Sequence, residues 1–281
     1  MLSVQLGSAL SVDLIHDIGA AGTAWLRLTL GAIVFLVLAR PRLAAIRRSD
    51  IPVLLGLGVT TGIQTIAFLA AIDRIPLGTC VAIEFLGPLT VAALRSRHRR
   101  ALGWPMIALV GVLLLTQPWH GAVDATGVGY ALLAAVGWAC YILLTQAVGD
   151  RFDGISGLAI TVPLAALTAA VVGVPQAAGQ LRWTNLAAAA GLALLLPVLP
   201  YALEMLALRR LNSAAFGTLM ALEPAIGTVL GLIVLRQHPD PAQLIGIALV
   251  VIAGAGAQRS GQRDDPARRH DQPSSASITL S

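Results

Sequence analysis

The sequence predicts an all-α polytopic membrane protein made of two inverted five-helix repeats, ten transmembrane helices with the first truncated. Three observations carry that prediction. Apolar residues come in runs of about 20, the number that crosses roughly 30 Å of hydrocarbon at 1.5 Å per residue. Arginines crowd into alternate loops, and the chain matches itself after a shift of 136 residues. Composition agrees, with 57% hydrophobic and only 12% charged residues, where a soluble domain carries about a quarter charged.

Arg, Asp, Pro and Gly punctuate the chain into nine clear spans, near 21–40, 51–72, 77–94, 102–119, 127–148, 154–175, 185–207, 213–235 and 241–257. Each is long enough, or nearly so, to cross a bilayer. A tenth apolar segment, Met1 to about Ile15, is short and holds Gln5, Ser8, Ser11 and Asp13. Residues 258–281 turn polar and read as a disordered tail.

All 19 basic residues are Arg. Arg40, Arg42, Arg47 and Arg48 follow one span, and Arg95, Arg97, Arg99 and Arg100 follow another two spans later. By the positive-inside rule both loops are cytoplasmic. Alternation then places fifteen arginines on that side, the tail included, and only Arg74, Arg182 and Arg236 on the other, with Arg27 inside a span. The basic balance therefore reflects cytoplasmic loops of a multi-pass plasma-membrane protein with a cytoplasmic C-terminus, and no nucleic-acid partner is implied. This alternation requires a span before Ala21 or an external N-terminus.

The shift of 136 superposes Asp17 on Asp153, span 51–72 on 187–208 and Pro88 on Pro224. It predicts a first repeat over 1–120, a second over 124–257 and the tail over 258–281. Five spans per repeat is an odd number, so the second copy is inverted in the membrane. The partner of the span beginning near Gly127 would start about ten residues before Met1, so the first helix is expected to be incomplete and Met1 internal. Inverted repeats commonly build transporters with the substrate site near the midplane between copies.

The chain has three glutamates, Glu84, Glu204 and Glu223, all within apolar segments. A charge at the centre of a membrane helix costs roughly 2.5–3.5 kcal/mol on insertion scales, so such groups face a cavity, a partner or an ion path. Alternatively, a glutamate near a span end reaches loop water or an Arg. Glu84 lies four residues before Pro88, and Glu223 directly precedes Pro224. Each proline removes a backbone hydrogen bond and opens its helix, which membranes tolerate where a cavity or neighbour satisfies the freed carbonyl. In repeat register the two acids are three positions apart, on one helical face.

Arg27 reads as an anchor for a substrate carboxylate, as the partner of a glutamate, or as a side chain snorkelling to the interface. Tyr201 shares a helical face with Glu204, and Trp138 with Tyr141, at i, i+3 spacing; the latter pair serves equally as core packing. Gln64 is a polar contact or a helix–helix hydrogen bond. Cys80 and Cys140 sit in apolar runs and read as packing residues. There is no phosphate-binding G-x-x-x-x-G-K-[ST] loop, no H-E-x-x-H and no G-x-S-x-G elbow. The five histidines lack metal-ligand spacing, so no cofactor, metal or enzymatic activity is expected.

Three blocks, IPLGTCVAIEFLGPLTVAAL (75–94), DATGVGYALLAAVGWACYILLTQAVG (124–149) and LPYALEMLALRRLNSAAFGTLMALEPAIGTVLGL (199–232), occur in this order. Through them the chain resembles the drug/metabolite transporter superfamily in its EamA-type branch, and within it the bacterial threonine/homoserine exporters. The likeness runs to about residue 257. One departure is Leu235-Arg236-Gln237, where the family usually carries a glycine-glutamate pair. The resemblance implies proton-driven export of small amino acids, with Glu84, Tyr201, Glu204 and Glu223 as pocket residues. The expected partners are a small-molecule substrate, protons and the lipid bilayer, with a homodimer left open. Efflux of drugs or other metabolites is the same-class alternative, and a scaffold or regulatory subunit the different-class one.

Overall fold

A computed structural model describes residues 1–40, 46–95, 102–117, 124–149, 154–200, 203 and 219–263. Helix α1 (Leu2–Ala39) is 38 residues long, about 57 Å if straight and too long for one crossing. It is not straight. Gly19 leaves helical geometry at φ 78° and ψ 165°, a conformation that an L side chain resists. Arg27 Nη1 donates to Ser11 Oγ at 2.8 Å, although sixteen residues of straight helix would separate them by about 24 Å. The arms 2–18 and 20–39 therefore fold back beside each other. Equidistant from the break, Gly7 and Gly31 both lie against the 195–197 turn. The short N-terminal segment of the sequence is thus a helical arm, with Ser8, Ser11, Leu14 and Ile18 buried.

The first residues of the second arm have no intrahelical partners for their N–H groups. Gln176 supplies one from a neighbouring helix: its Oε1 accepts from the N–H groups of Ala21 at 2.8 Å and Gly22 at 3.1 Å.

The remaining helices follow the apolar runs. They are α2 (Ile51–Ile72), α3 (Leu77–Glu84), α4 (Leu86–Arg95), α5 (Gly103–Thr116), α6 (Ala125–Gly149), α7 (Gly154–Ala177), α8 (Trp183–Ala193), α9 (Glu223–Val234) and α10 (Pro241–Arg263). Helix α8 continues into a wider π turn, Leu194–Val198. Among the described residues six helical stretches are long and apolar enough to cross a membrane: Leu2–Ala39, Ile51–Ile72, Leu77–Leu94, Ala125–Thr145, Ser156–Ala177 and Pro241–Gln258. Gly103–Thr116, Trp183–Val198 and Glu223–Val234 are shorter. The span read as continuous over 77–94 is broken at Phe85, between α3 and α4, and the one read over 102–119 ends as helix at Thr116.

The second arm of α1 packs on α7, α2 on α6 and α7, α3 on α9, and α5 on α10. Small residues permit the closest crossings. A Cβ on Gly111 would stand 2.6 Å from the Gly246 carbonyl oxygen, and one on Gly246 would stand 2.6 Å from the Gly111 carbonyl oxygen. Leu38, Val171 and Ile233 are exposed apolar side chains of the kind that meets lipid.

Polar contacts collect at the Gly19 end of the bundle. His16 lies 3.7 Å from Asp73, Arg74 Nη1 donates to Asp124 at 3.4 Å, and Gln117 Nε2 donates to Asp240 at 2.6 Å. Asp124 also caps α6, its Oδ1 accepting from the N–H groups of Thr126 at 2.8 Å and Gly127 at 3.3 Å. These bonds, the Thr126 N–H foremost, hold the Asp124 carboxyl below the usual carboxylate range.

A charged cavity between the helices

A cavity of about 500 Å³ opens where the two halves of the chain meet. Polar groups reach it from Gln5, Ser8 and Arg27 on the α1 hairpin, Gln64 and Thr65 on α2, Glu84 on α3 and Glu223 on α9. Trp138, Phe68 and Met220 are among the apolar side chains that complete the wall.

The two acids enter at helix breaks. Pro88 has no N–H to give the carbonyl of residue 84, one turn before it, and α3 stops at Glu84. Pro224 stands in the first turn of α9, which begins at Glu223. Glu223 therefore sits at the positive end of α9, and Glu84 at the junction where α3 gives way to α4. Both are buried, at 6% and 8% exposure. Gln64 Nε2 donates to Glu84 Oε1 at 3.1 Å, holding that carboxyl against α2. Trp138 packs edge-on against Phe85, centroids 6.1 Å apart at 73°, which fixes the indole beside the break.

Arg27 is 3% exposed. It does not snorkel: its guanidinium is held inside the hairpin by Ser11, whose own hydroxyl donates to the Gly7 carbonyl at 2.6 Å.

Of the residues singled out in the sequence, Arg27, Gln64, Glu84, Trp138 and Glu223 converge on this cavity. Tyr141 does not line it; its ring packs in a separate cluster around Leu54 and Leu57. Pro88 and Pro224 act through the helix breaks. Tyr201 and Glu204 lie outside the described residues. Gln5, Ser8, Thr65 and Met220 line the cavity without having been singled out as site residues. A polar stripe at three-residue spacing, Gln5, Ser8 and Ser11, was the available signal.

At the Gly19 end, Gln237 occupies the position where the exporter pattern departs. Its Oε1 accepts from the N–H of Leu77 at 3.0 Å, tying the start of α3 to the segment after α9.

An apolar helical bundle around a cavity that carries two buried acids and a buried base is the build of a membrane transporter. A family model described as the EamA-like transporter family matches residues 125–256. The threonine/homoserine exporter RhtA of Escherichia coli K12 is 36% identical over 275 residues, covering 96% of this chain and 92% of that protein. RhtA of Salmonella typhimurium LT2 is 34% identical over the same shares. An uncharacterized transporter of Clostridium kluyveri is 23% identical over 182 residues, 61% of this chain and 58% of that protein. A crystal structure of a protein 20% identical superposes with a TM-score of 0.63 over 93% of this chain and 96% of its own, which speaks for the fold alone. The chain belongs to the EamA-like transporter family.

Proposed function

We propose that this protein exports small amino acids, of the threonine and homoserine kind, by proton-coupled alternating access between two inverted repeats. One observation carries the reading: Arg27, Glu84 and Glu223, each buried, line a single cavity of a size common for small-molecule sites. An α-amino acid is a zwitterion. Its ammonium is drawn to the carboxylates and its carboxylate to the guanidinium, so the wall complements both ends. The exporters matched along nearly the whole chain support that substrate class.

Two features support the inverted repeat over 1–120 and 124–257. The shift of 136 residues carries Gln64 onto Pro200 and Glu84 onto Met220, and all four line the same cavity. Helices that the shift pairs also pack on each other, as elements astride a pseudo-twofold axis must: the second arm of α1 with α7, and α5 with α10. Alternating access then amounts to rocking one repeat against the other around a fixed site.

In this mechanism a cytoplasmic substrate seats its ammonium at a deprotonated glutamate. Protonation of that glutamate from the outer side removes the attraction and releases the amino acid outward. The proton leaves to the cytoplasm when the next substrate binds. The Gly19 end, which holds Arg74 and Arg236, is the outer face, and residue 263 points toward the cytoplasm.

The test uses inverted membrane vesicles with an acidic lumen. Vesicles containing the protein should accumulate labelled homoserine and lose it when the pH gradient is collapsed. Accumulation no greater than in vesicles without the protein would refute the reading.

A further inference from the structure

Two atoms in the cavity wall are buried without a hydrogen-bond partner among the described residues, Gln5 Oε1 and Arg27 Nε. Both residues are 3% exposed, both line the cavity, and they come from opposite arms of the α1 hairpin. A buried polar atom left unpaired is costly, and a ligand that supplies the missing partner recovers that cost.

The surroundings differ. Arg27 is fixed at Nη1 by Ser11, leaving Nε as a charged donor. Gln5 Oε1 is a neutral acceptor, 3.6 Å from the place a Cβ on Gly227 would take. Gly227 is one helical turn beyond Glu223, so the amide lies beside the acid's helix. The neighbouring Ser8 hydroxyl has its proton committed to the Val4 carbonyl at 2.9 Å and does not satisfy Gln5.

Resting on the amino-acid export reading, we propose that Gln5 is a specificity-determining residue that reads the side-chain hydroxyl of a hydroxy-amino acid. The substrate ammonium belongs to the carboxylates and its carboxylate to Arg27, which leaves the neutral amide for a neutral polar group. A hydroxyl both donates and accepts, so it pairs with the Gln5 amide in either orientation of the amide. An aliphatic side chain there leaves the amide dry and unpaired, the condition under which a polar site discriminates most strongly.

The experiment compares homoserine with 2-aminobutyrate, the same skeleton without the hydroxyl, in proteoliposomes of wild type, Gln5→Met and Gln5→Asn matched for inserted protein. Wild type should favour homoserine by about tenfold or more. Gln5→Met should bring the ratio near one, by slowing homoserine and by relieving 2-aminobutyrate of the unpaired amide. Gln5→Asn, with its amide one methylene shorter, should fall between, and it decides the matter if the Met variant does not insert. An unchanged ratio in the variants, or a parallel fall for both substrates, overturns the proposal. Wild type that carries both amino acids alike overturns it while leaving export standing; wild type that carries neither refutes the export reading itself.

Discussion

Replacing Gln176 tests the folded hairpin on which the cavity depends. Its amide oxygen accepts two backbone N–H groups, from Ala21 and Gly22, at the start of the second arm. Both of those residues are buried. Gln176→Met keeps the volume and loses both bonds. Loss of a helix cap costs about 0.5–2 kcal/mol; Gln176 itself lies on an exposed surface, where water replaces part of the loss, so about 0.5–1.5 kcal/mol is expected. For a chain of this size that is roughly a 1–3 °C fall in melting temperature. Gln176→Glu carries the opposite expectation. A carboxylate makes stronger, charge-assisted bonds to the same N–H groups and sits at the positive end of the arm, which favours it by about 0.3–1 kcal/mol. Thermal unfolding in detergent should therefore rank Glu at or above wild type and Met below both. Met and wild type melting together, or Met above Glu, would refute the capping argument.

Other consequences follow from close contacts and exposed bonds. Gly111→Ala places a methyl 2.6 Å from the Gly246 carbonyl oxygen, so α5 and α10 must separate; a loss of about 1–3 kcal/mol is expected, and unchanged unfolding in denaturant would show that the crossing is not tight. Gly111→Ala with Gly246→Ala should cost less than the two singly, because both act on one crossing, and additive losses would count against that geometry. Asp124→Ala should speed amide hydrogen exchange at Thr126 and Gly127, whose N–H groups it caps. Since the folded state holds the Asp124 carboxyl low, the cap is complete above the unfolded carboxylate range and fades only as pH falls through the depressed value. Loss of protection already on entering the ordinary carboxylate range would contradict this sign.

Much of the fold was legible because the bilayer imposes a length rule on every apolar run. The helices described within 51–72, 154–175 and 241–257 need only hydropathy and punctuation. Less was legible where geometry is made by contact. Gly19 is an ordinary glycine in sequence; its role as a turn depends on Gln176, 157 residues away. Glu84 and Glu223, marked in the sequence as charges in apolar runs beside prolines, line one cavity, because a buried charge must face something. Arg27 was ambiguous because its partner, Ser11, lies on the other side of a fold-back that no local pattern announces. Gln5 and Ser8 passed as mere polarity in a short segment for the same reason. Tyr141 shares a helical face with Trp138 by spacing, yet it packs by Leu54 and Leu57, a neighbourhood set by how α2 and α6 cross.

Under the proposed function, the two acids of this cavity couple substrate to protons. The most direct measurement is homoserine accumulation in inverted vesicles with an acidic lumen, for wild type, Glu84→Gln and Glu223→Gln at equal protein. Both variants should lose gradient-driven accumulation while remaining inserted and folded. Wild-type accumulation in both variants would contradict it.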